Sequence, residues 1–311
     1  MKCLLCSNTD IEKIHENDAL YVVRDVNYCH TCEVFFVEPM PTDKELVKFY
    51  QNQWAWDHGM KKNSSFVRRM FHFIYEMHQK FVASDRAKHL IKILPNRQAN
   101  IIEIGSGNGA FVKRIAKFFG KVEGIEPSIE QDYVGDDISI KKQAINAQVK
   151  MSKEYDAICM YMVLEHLNNP IDTIKNLTKY LKQKGILIVE VPYSPYQEFQ
   201  GMDKFDRDKV FNNVHLFHYS KKNVALLANR VDMELAEFMV FRKKELIKGY
   251  NVFSVYPGSS KENLIYKAIA FFNLAYLYMV GLLGFSVHER IDFTKTKFND
   301  GYWIRFVLEK K

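Results

Sequence analysis

Two pairs of cysteines stand near the start of the chain, Cys3 with Cys6 and Cys29 with Cys32. Each pair has C-x-x-C spacing, and four thiolates from two such pairs suit a tetrahedral zinc ion, whereas redox chemistry would need only one pair. A piece this small has little apolar core. Metal ligation, worth roughly 10–16 kcal/mol in zinc-finger peptides, would supply its folding energy. We therefore expect a structural zinc module over residues 1–40.

A glycine-rich turn lies between an apolar run at residues 100–104 and an amphipathic run that begins at Phe111. Glycines between a strand and a helix let the backbone approach a ligand and direct helix N–H groups toward it. The spacing also satisfies a dinucleotide fingerprint, with Glu126 about twenty residues further on. The turn predicts a nucleotide-type ligand without choosing the cofactor. Its residues are Gly105, Ser106, Gly107, Asn108 and Gly109.

Glu103 stands two residues before the first glycine of this turn, at the expected carboxyl end of the strand. A carboxylate there would repel the pyrophosphate of a dinucleotide and attract a ligand that carries a sulfonium and an ammonium group. We therefore expect S-adenosylmethionine as the ligand.

Short apolar runs alternate with helix-length connections after residue 100. The alternation predicts an α/β fold with a Rossmann-like doubly wound sheet, mostly parallel with an antiparallel last strand, beside the small N-terminal zinc module. The predicted strands are residues 100–104, 121–125, 155–161, 185–191, 234–241 and 302–308.

In these motifs the chain resembles the class I S-adenosylmethionine-dependent methyltransferases. Their first motif is matched by residues 103–109, their acidic residue after the second strand by Glu126, and their fourth and fifth strand segments by residues 155–170 and 185–192. The resemblance implies that the glycines line the methionine and ribose, that Glu126 holds the ribose hydroxyls, and that a third-strand residue contacts adenine. The implied donor-binding residues are Glu103, Gly105, Ser106, Gly107, Asn108, Gly109, Glu126, Pro127, Gln143, Met160 and Tyr161.

The four cysteines followed by a methyltransferase domain are similar to the nucleotide-sugar C-methyltransferases, up to about residue 245. Those enzymes carry a Tyr-x-Glu-His motif after the fifth strand, and this chain keeps only the histidine, His215. The departure leaves O- and N-methylation open. A histidine of near-neutral pKa suits the removal of an acceptor proton. Our candidate base is His215, with His166, His218 and Tyr193 as assistants, although His215 could merely order its loop and His166 could merely help to cap a helix.

The composition of the chain narrows the classes of protein to which it could belong. The chain has 311 residues, 47% of them apolar, and a net charge of +7, which excludes a disordered or disulfide-stapled chain. We expect a methyltransferase for a small molecule, such as a nucleotide- or lipid-linked sugar or another glycan precursor. The alternative is an RNA methyltransferase with an N-terminal zinc module, although no basic aromatic platform favours nucleic acid. A degenerate fold used for protein assembly is a third class, which the intact donor motifs disfavour.

An uncharged stretch of twenty residues covers positions 268–287. It could span a membrane, lie at a membrane surface, or pack as a helical insertion, and a single crossing would separate residues 302–308 from their sheet. Because residues 1–6 show no charged-then-apolar leader, we expect a cytoplasmic protein, or one peripheral to the inner face of the membrane. The predicted division is a zinc module at 1–40, a helical linker at 41–95, a methyltransferase domain at 96–243, an insertion at 244–292 and a final strand within 293–311.

Overall fold

The computed structural model describes residues 1–19, 22–50, 66–193, 214–244, 264–290 and 303–311. The helices of this part are α1 (Asp43–Phe49), α2 (Phe66–Ile93), α3 (Ala110–Phe119), α4 (Pro170–Thr178), α5 (Lys221–Arg230) and α6 (Leu264–Leu282). The strands are β1 (Ile11–Ala19), β2 (Val22–Cys29), β3 (Val34–Glu38), β4 (Ile101–Ile104), β5 (Val122–Ile125), β6 (Tyr133–Val134), β7 (Ile138–Lys141), β8 (Tyr155–Tyr161), β9 (Leu181–Pro192), β10 (Phe217–His218), β11 (Met233–Lys243), β12 (His288–Arg290) and β13 (Trp303–Lys310).

A nine-stranded sheet forms the centre of the fold, in the order β12-β11-β13-β9-β8-β4-β5-β7-β6. The five strands β7, β5, β4, β8 and β9 pair in parallel. The last strand, β13, lies antiparallel between β9 and β11. This strand order confirms the predicted Rossmann-like sheet with an antiparallel last strand. The prediction was possible because strands buried on both faces appear in the sequence as continuous apolar runs.

The strands of the large sheet that the sequence analysis omitted are short ones at its edges, β6 and β7 at one edge and β12 at the other. Of the four residues of β7, only Ile140 is buried, and both residues of β6 are exposed. Such strands leave almost no apolar pattern to detect. Strand β9 also begins before the predicted 185, because a kink at Lys184, with φ of 61°, lets the strand continue back to Leu181.

A second, four-stranded antiparallel sheet contains β1, β2, β3 and β10. The first three strands come from the N-terminal segment, but β10 comes from the chain after the fifth parallel strand. Phe217 pairs with Phe36 and His218 pairs with Phe35. Buried side chains of this sheet and of the large sheet form one continuous apolar cluster, so the N-terminal sheet is fixed to the segment that follows position 214.

Helix α2 covers one face of the large sheet and carries Arg86 into a buried ionic group. Arg86 donates to Glu190 Oε1 from Nε at 3.0 Å and from Nη2 at 2.5 Å. Arg305, on β13, donates to Glu190 Oε2 from Nε at 2.9 Å and from Nη2 at 2.5 Å. Burial by itself would raise the pKa of Glu190, but the two guanidinium groups lower it to about 2.

The uncharged stretch predicted at 268–287 forms most of α6, which packs against α2. A Cβ on Gly281 would lie 2.4 Å from the Phe81 ring, so this glycine permits the close approach of the two helices. The helix then ends in a turn at Gly284, whose φ is 77°. Among the described residues, no helix is long and apolar enough to cross a membrane.

Candidate active site

A cavity of about 360 Å³ opens at the carboxyl edge of the parallel strands. This volume is within the range of small-molecule sites, and this edge is where open α/β sheets bind ligands. The wall combines the glycine turn, the ends of β5, β7 and β8, the turn after β8, and helix α1. The residues that line it are Asp43, Leu46, Val47, Tyr50, Gly105, Gly107, Glu126, Pro127, Lys142, Gln143, Ala144, Ile145, Asn146, Met162, Val163, His166 and Leu167.

The two glycines of the wall differ in what surrounds them. Gly105 has φ of 76°, and a Cβ there would lie 2.3 Å from Val163 Cγ2. Gly107 has φ of 51°, and a Cβ there would meet no protein atom within 4 Å. The first glycine is therefore needed for packing between β4 and the end of β8, and the second leaves space at the cavity.

Glu126 follows β5 and closes one side of the cavity. Its Oε2 accepts from the Gly107 backbone N–H at 2.8 Å. Its Oε1 accepts from the backbone N–H and the hydroxyl of Ser128 at 2.9 and 2.6 Å. These bonds fix the carboxylate at the glycine turn, and Oε2, which accepts only one of them, has a further lone pair with which to accept from a ligand hydroxyl. The geometry fits the ribose of S-adenosylmethionine.

Glu103 does not have the surroundings that the electrostatic argument assumed. Its side chain is 3% exposed and is not among the residues that line the cavity. Burial raises its pKa to about 8, against the opposing effects of Arg86 and the Val112 backbone N–H. The Glu103 side chain contacts the first turn of α3 and presents no ionised carboxylate to the cavity at neutral pH. The argument that its charge selects S-adenosylmethionine over a dinucleotide therefore fails, because the side chain is buried.

The other predicted donor-binding residues divide between the wall and the protein interior. Pro127 and Gln143 line the cavity, whereas the buried Ser106 packs against Gly124, the Asn108 side chain accepts from Ala110 N–H, and Gly109 forms the N-cap of α3.

Met160 and Tyr161 lie inside β8 and are buried in the sheet. The Tyr161 ring packs against Phe111, and the Arg86 guanidinium lies over it with its Cζ 4.4 Å from the ring centroid. The next two residues, Met162 and Val163, line the cavity instead. Met162 has φ of 59°, which ends the strand and turns the chain across the opening.

Helix α1 provides a wall that sequence reasoning did not assign to the site. Thr42 and Glu45 form a capping box that begins the helix. Asp43 accepts from Asn168 at 2.7 Å and from Asn146 at 3.1 Å, so the helix is attached to two turns of the large sheet. The sequence analysis predicted a helical linker over residues 41–95, but it could not show these long-range attachments.

Two of the candidate acid–base residues, His166 and His215, lie close together beside the cavity. His166 lines the cavity, and its ring centroid lies 5.0 Å from that of His215. The Nδ1 of His166 lies 2.8 Å from the Val214 carbonyl oxygen, which only accepts, so Nδ1 donates and Nε2 is left as the acceptor of the neutral ring. The pKa of His215 is lowered well below its ordinary value by burial, with contributions from His166 and His218.

Glu165 is a functional candidate that the sequence analysis did not assign to the site. Its side chain is 0% exposed, and neither carboxylate oxygen has a hydrogen-bond partner among the described residues. Oε1 lies 3.7 Å from His166 Nε2. Burial raises the pKa of Glu165 to about 8.

His218 and Tyr193 lie further from the cavity. His218 is in β10, its ring centroid 5.5 Å from that of His215, and burial lowers its pKa to about 3. Tyr193 forms an isolated bridge with Tyr219. Neither residue lines the cavity.

The four N-terminal cysteines come together at one end of the small sheet, with all four Sγ atoms within 4.8 Å of one another. The Sγ atoms of Cys3 and Cys32 are 3.6 Å apart, and those of Cys6 and Cys29 are 3.5 Å apart. A tetrahedral ion with Zn–S bonds of about 2.3 Å separates its sulfur ligands by about 3.8 Å. The cluster could therefore hold zinc with only small side-chain movements.

A family model described as a methyltransferase domain matches residues 66–237, which is more than half of the chain. The chain belongs to this methyltransferase family. Among solved structures, it is similar to the magnesium protoporphyrin IX methyltransferase of Synechocystis PCC 6803 with bound S-adenosylhomocysteine. The TM-score is 0.50 at 13% identity, over 87% of this chain and 100% of that chain. The same enzyme was also crystallised with S-adenosylmethionine.

A second similar structure is the plantazolicin methyltransferase BpumL in complex with S-adenosylhomocysteine. Its TM-score is 0.46 at 15% identity, over 86% of the present methyltransferase and 98% of that chain. The search of curated proteins finds no match. The family model shows that the chain carries a methyltransferase domain, which confirms the prediction of a methyltransferase from the motifs, and the solved structures share its fold.

Proposed function

We propose that this methyltransferase modifies a small molecule, a sugar or another glycan precursor, and that the pair His166 and His215 supplies the base. The observation that carries the proposal is a cavity with donor-binding groups on one wall and His166 on another. The resemblance to nucleotide-sugar C-methyltransferases supports the choice of acceptor class.

The residues of the chain divide the work between the two substrates. When bound, S-adenosylmethionine supplies a methyl carbon that positive sulfur has already activated. Gly105, Gly107 and Glu126 would hold the donor, so that the acceptor atom can approach in line. The acceptor atom forms a bond to the methyl carbon as the carbon–sulfur bond breaks, the electron pair stays on sulfur, and the acceptor proton passes to a neutral histidine.

Incubation with methyl-labelled donor tests the acceptor class. The panel contains nucleotide sugars, lipid-linked sugars, small peptides and RNA, and we expect label in the sugar fractions. His215→Ala should abolish transfer and leave S-adenosylhomocysteine binding intact. Label in RNA alone would replace this proposal with the RNA alternative, and full transfer by His215→Ala would remove that residue from the mechanism.

We also propose that the four cysteines hold a structural zinc ion, since their Sγ atoms all lie within 4.8 Å of one another.

We further propose that the surface of α6 contacts a membrane from its inner face. Large apolar side chains at the end of α6 are exposed, and no charged residue interrupts them. Such a surface suits contact with lipid, where a lipid-linked acceptor would be presented. The exposed side chains are Phe272, Met279, Leu282, Leu283 and Phe285.

A further inference from the structure

Three potential ligands of a metal ion meet beside the cavity, well away from the N-terminal cysteines in the sequence. One ligand atom each from Glu165, His166 and His215 lies within 4.8 Å of the other two. Two imidazoles and one carboxylate form a ligand set that binds divalent zinc and related transition ions and leaves a coordination position open. We propose that these three side chains bind a divalent transition-metal ion that orients the acceptor, an inference that rests on the proposed function.

The distances in the cluster are close to those of an occupied site. In a tetrahedral ion with bonds of about 2.0–2.2 Å, neighbouring ligand atoms are about 3.3 Å apart. The Oε1 of Glu165 and the Nε2 of His166 are 3.7 Å apart, so a movement of less than an ångström would bring both to one ion. No charged hydrogen bond has to be broken, because neither oxygen of Glu165 has a hydrogen-bond partner in the described part of the chain.

Backbone contacts already hold the ligands in the orientation that a metal site needs. The Nδ1–H of His166 donates to the Val214 carbonyl at 2.8 Å, which turns Nε2 toward Glu165. Metal-binding histidines commonly make this second contact, which fixes the tautomer. The backbone N–H of Leu216 donates to the Glu165 carbonyl at 2.7 Å, so the segment that carries His215 is fastened to the turn that carries the other two ligands.

The site also has a route for an acceptor. His166 lines the cavity, so an open coordination position beside it would be reached from the same space as the donor. An acceptor hydroxyl bound there would lose its proton to solvent water more readily, because the ion stabilises the oxyanion. The inference keeps the cavity and the acceptor class of the proposed function and changes one part of it: His166 and His215 act as ligands of the ion, and the proton no longer passes to a histidine.

Zinc titration of the full chain tests the inference by calorimetry and by metal analysis. We expect two zinc ions per wild-type chain, one in the cysteine cluster and one in this site. Glu165→Gln keeps the side-chain size and removes the charge, and should weaken the second ion by more than about 100-fold, beyond the loss of an outer-shell contact. His166→Ala and His215→Ala should also bind one ion. His89→Gln, which removes a different largely buried histidine, should bind two.

The inference is overturned if the wild-type chain binds no second ion, or if Glu165→Gln binds it as tightly as the wild type. Parallel measurements of S-adenosylhomocysteine binding and methyl transfer keep the two proposals apart. A chain that transfers methyl groups to sugars without a second ion retains the proposed function and loses this site. A chain that binds the ion but not S-adenosylhomocysteine loses the proposed function alone.

Discussion

Replacing Glu190 with glutamine should cost this protein about 3 kcal/mol of unfolding free energy at neutral pH. A carboxyl with an ordinary pKa of 4.5 that is lowered to about 2 gains roughly that much from its partners. Breaking a buried ion pair by removing one partner independently costs about 3–5 kcal/mol. The value from the pKa shift and the typical cost of breaking a buried ion pair therefore agree. The physical cause of the loss is that Arg86 and Arg305 would both remain buried without a counter-charge.

Urea unfolding of the two proteins between pH 7 and pH 3 measures this effect. The stabilisation by Glu190 is complete above its ordinary pKa and is lost as the pH falls toward 2, so the difference between wild type and Glu190→Gln should narrow in acid. Asp232→Asn is the control, because Asp232 pairs with Lys311 at 2.7 Å while 87% exposed, and it should change stability by less than about 1 kcal/mol. A difference below 1 kcal/mol, or one that is constant with pH, would refute the reasoning.

Four further predictions address the cavity, the cysteines and α6. Gly107→Ala should lose about 1–2 kcal/mol of unfolding free energy because of its positive φ, and should bind S-adenosylhomocysteine more weakly by calorimetry. Gly105→Ala should lose more unfolding free energy, because its Cβ would clash with Val163. Equal stability of the two variants would contradict this prediction. Glu126→Gln should weaken the same ligand about 10- to 150-fold, since charge-assisted hydrogen bonds contribute about 1.5–3 kcal/mol, and unchanged affinity would remove it from the donor site. Cys29→Ser should lose one zinc ion and lower the melting temperature, while retained zinc would exclude the thiolate as a ligand. The double variant Leu283→Ser and Phe285→Ser should bind anionic lipid vesicles at least about tenfold more weakly in a sedimentation assay, and wild-type vesicle binding by this variant would exclude the turn after α6 as part of the contact.

The central sheet was predictable because its chemistry is local. Residues such as Ile101 to Ile104 are all buried, so every position of that strand is apolar or, at Glu103, an exception that attracts notice. The same exception misled the electrostatic argument, since the burial of Glu103 depends on tertiary packing against α2 and α3, which the apolar pattern of the strand does not show. The apolar pattern therefore locates the strand without giving the ionisation of its one carboxyl.

The site was only partly predictable, for two physical reasons. The end of β8 at residue 161 was predicted correctly, but its last residues, Met160 and Tyr161, are buried in the sheet. The next two residues, Met162 and Val163, line the cavity instead, and nothing in the sequence indicates the positive φ of Met162. Glu165 beside His166 reads as a helix-capping pair, and its meeting with His215 depends on a long-range contact. The role of α1 as a cavity wall depends on hydrogen bonds that Asp43 accepts from Asn146 and Asn168, both more than a hundred positions away.

Strand β10 links two parts of the molecule that the sequence separates widely. It pairs with β3 next to the cysteine cluster, and it directly follows His215. Thiol oxidants or chelators that loosen the N-terminal sheet would therefore displace the acceptor side of the reaction without touching the wall formed by Gly107 and Glu126. Thiol oxidants and chelators would then lower the maximal rate and leave the apparent affinity for the methyl donor unchanged. This pattern is noncompetitive inhibition with respect to the donor, caused by a change at the distant cysteines.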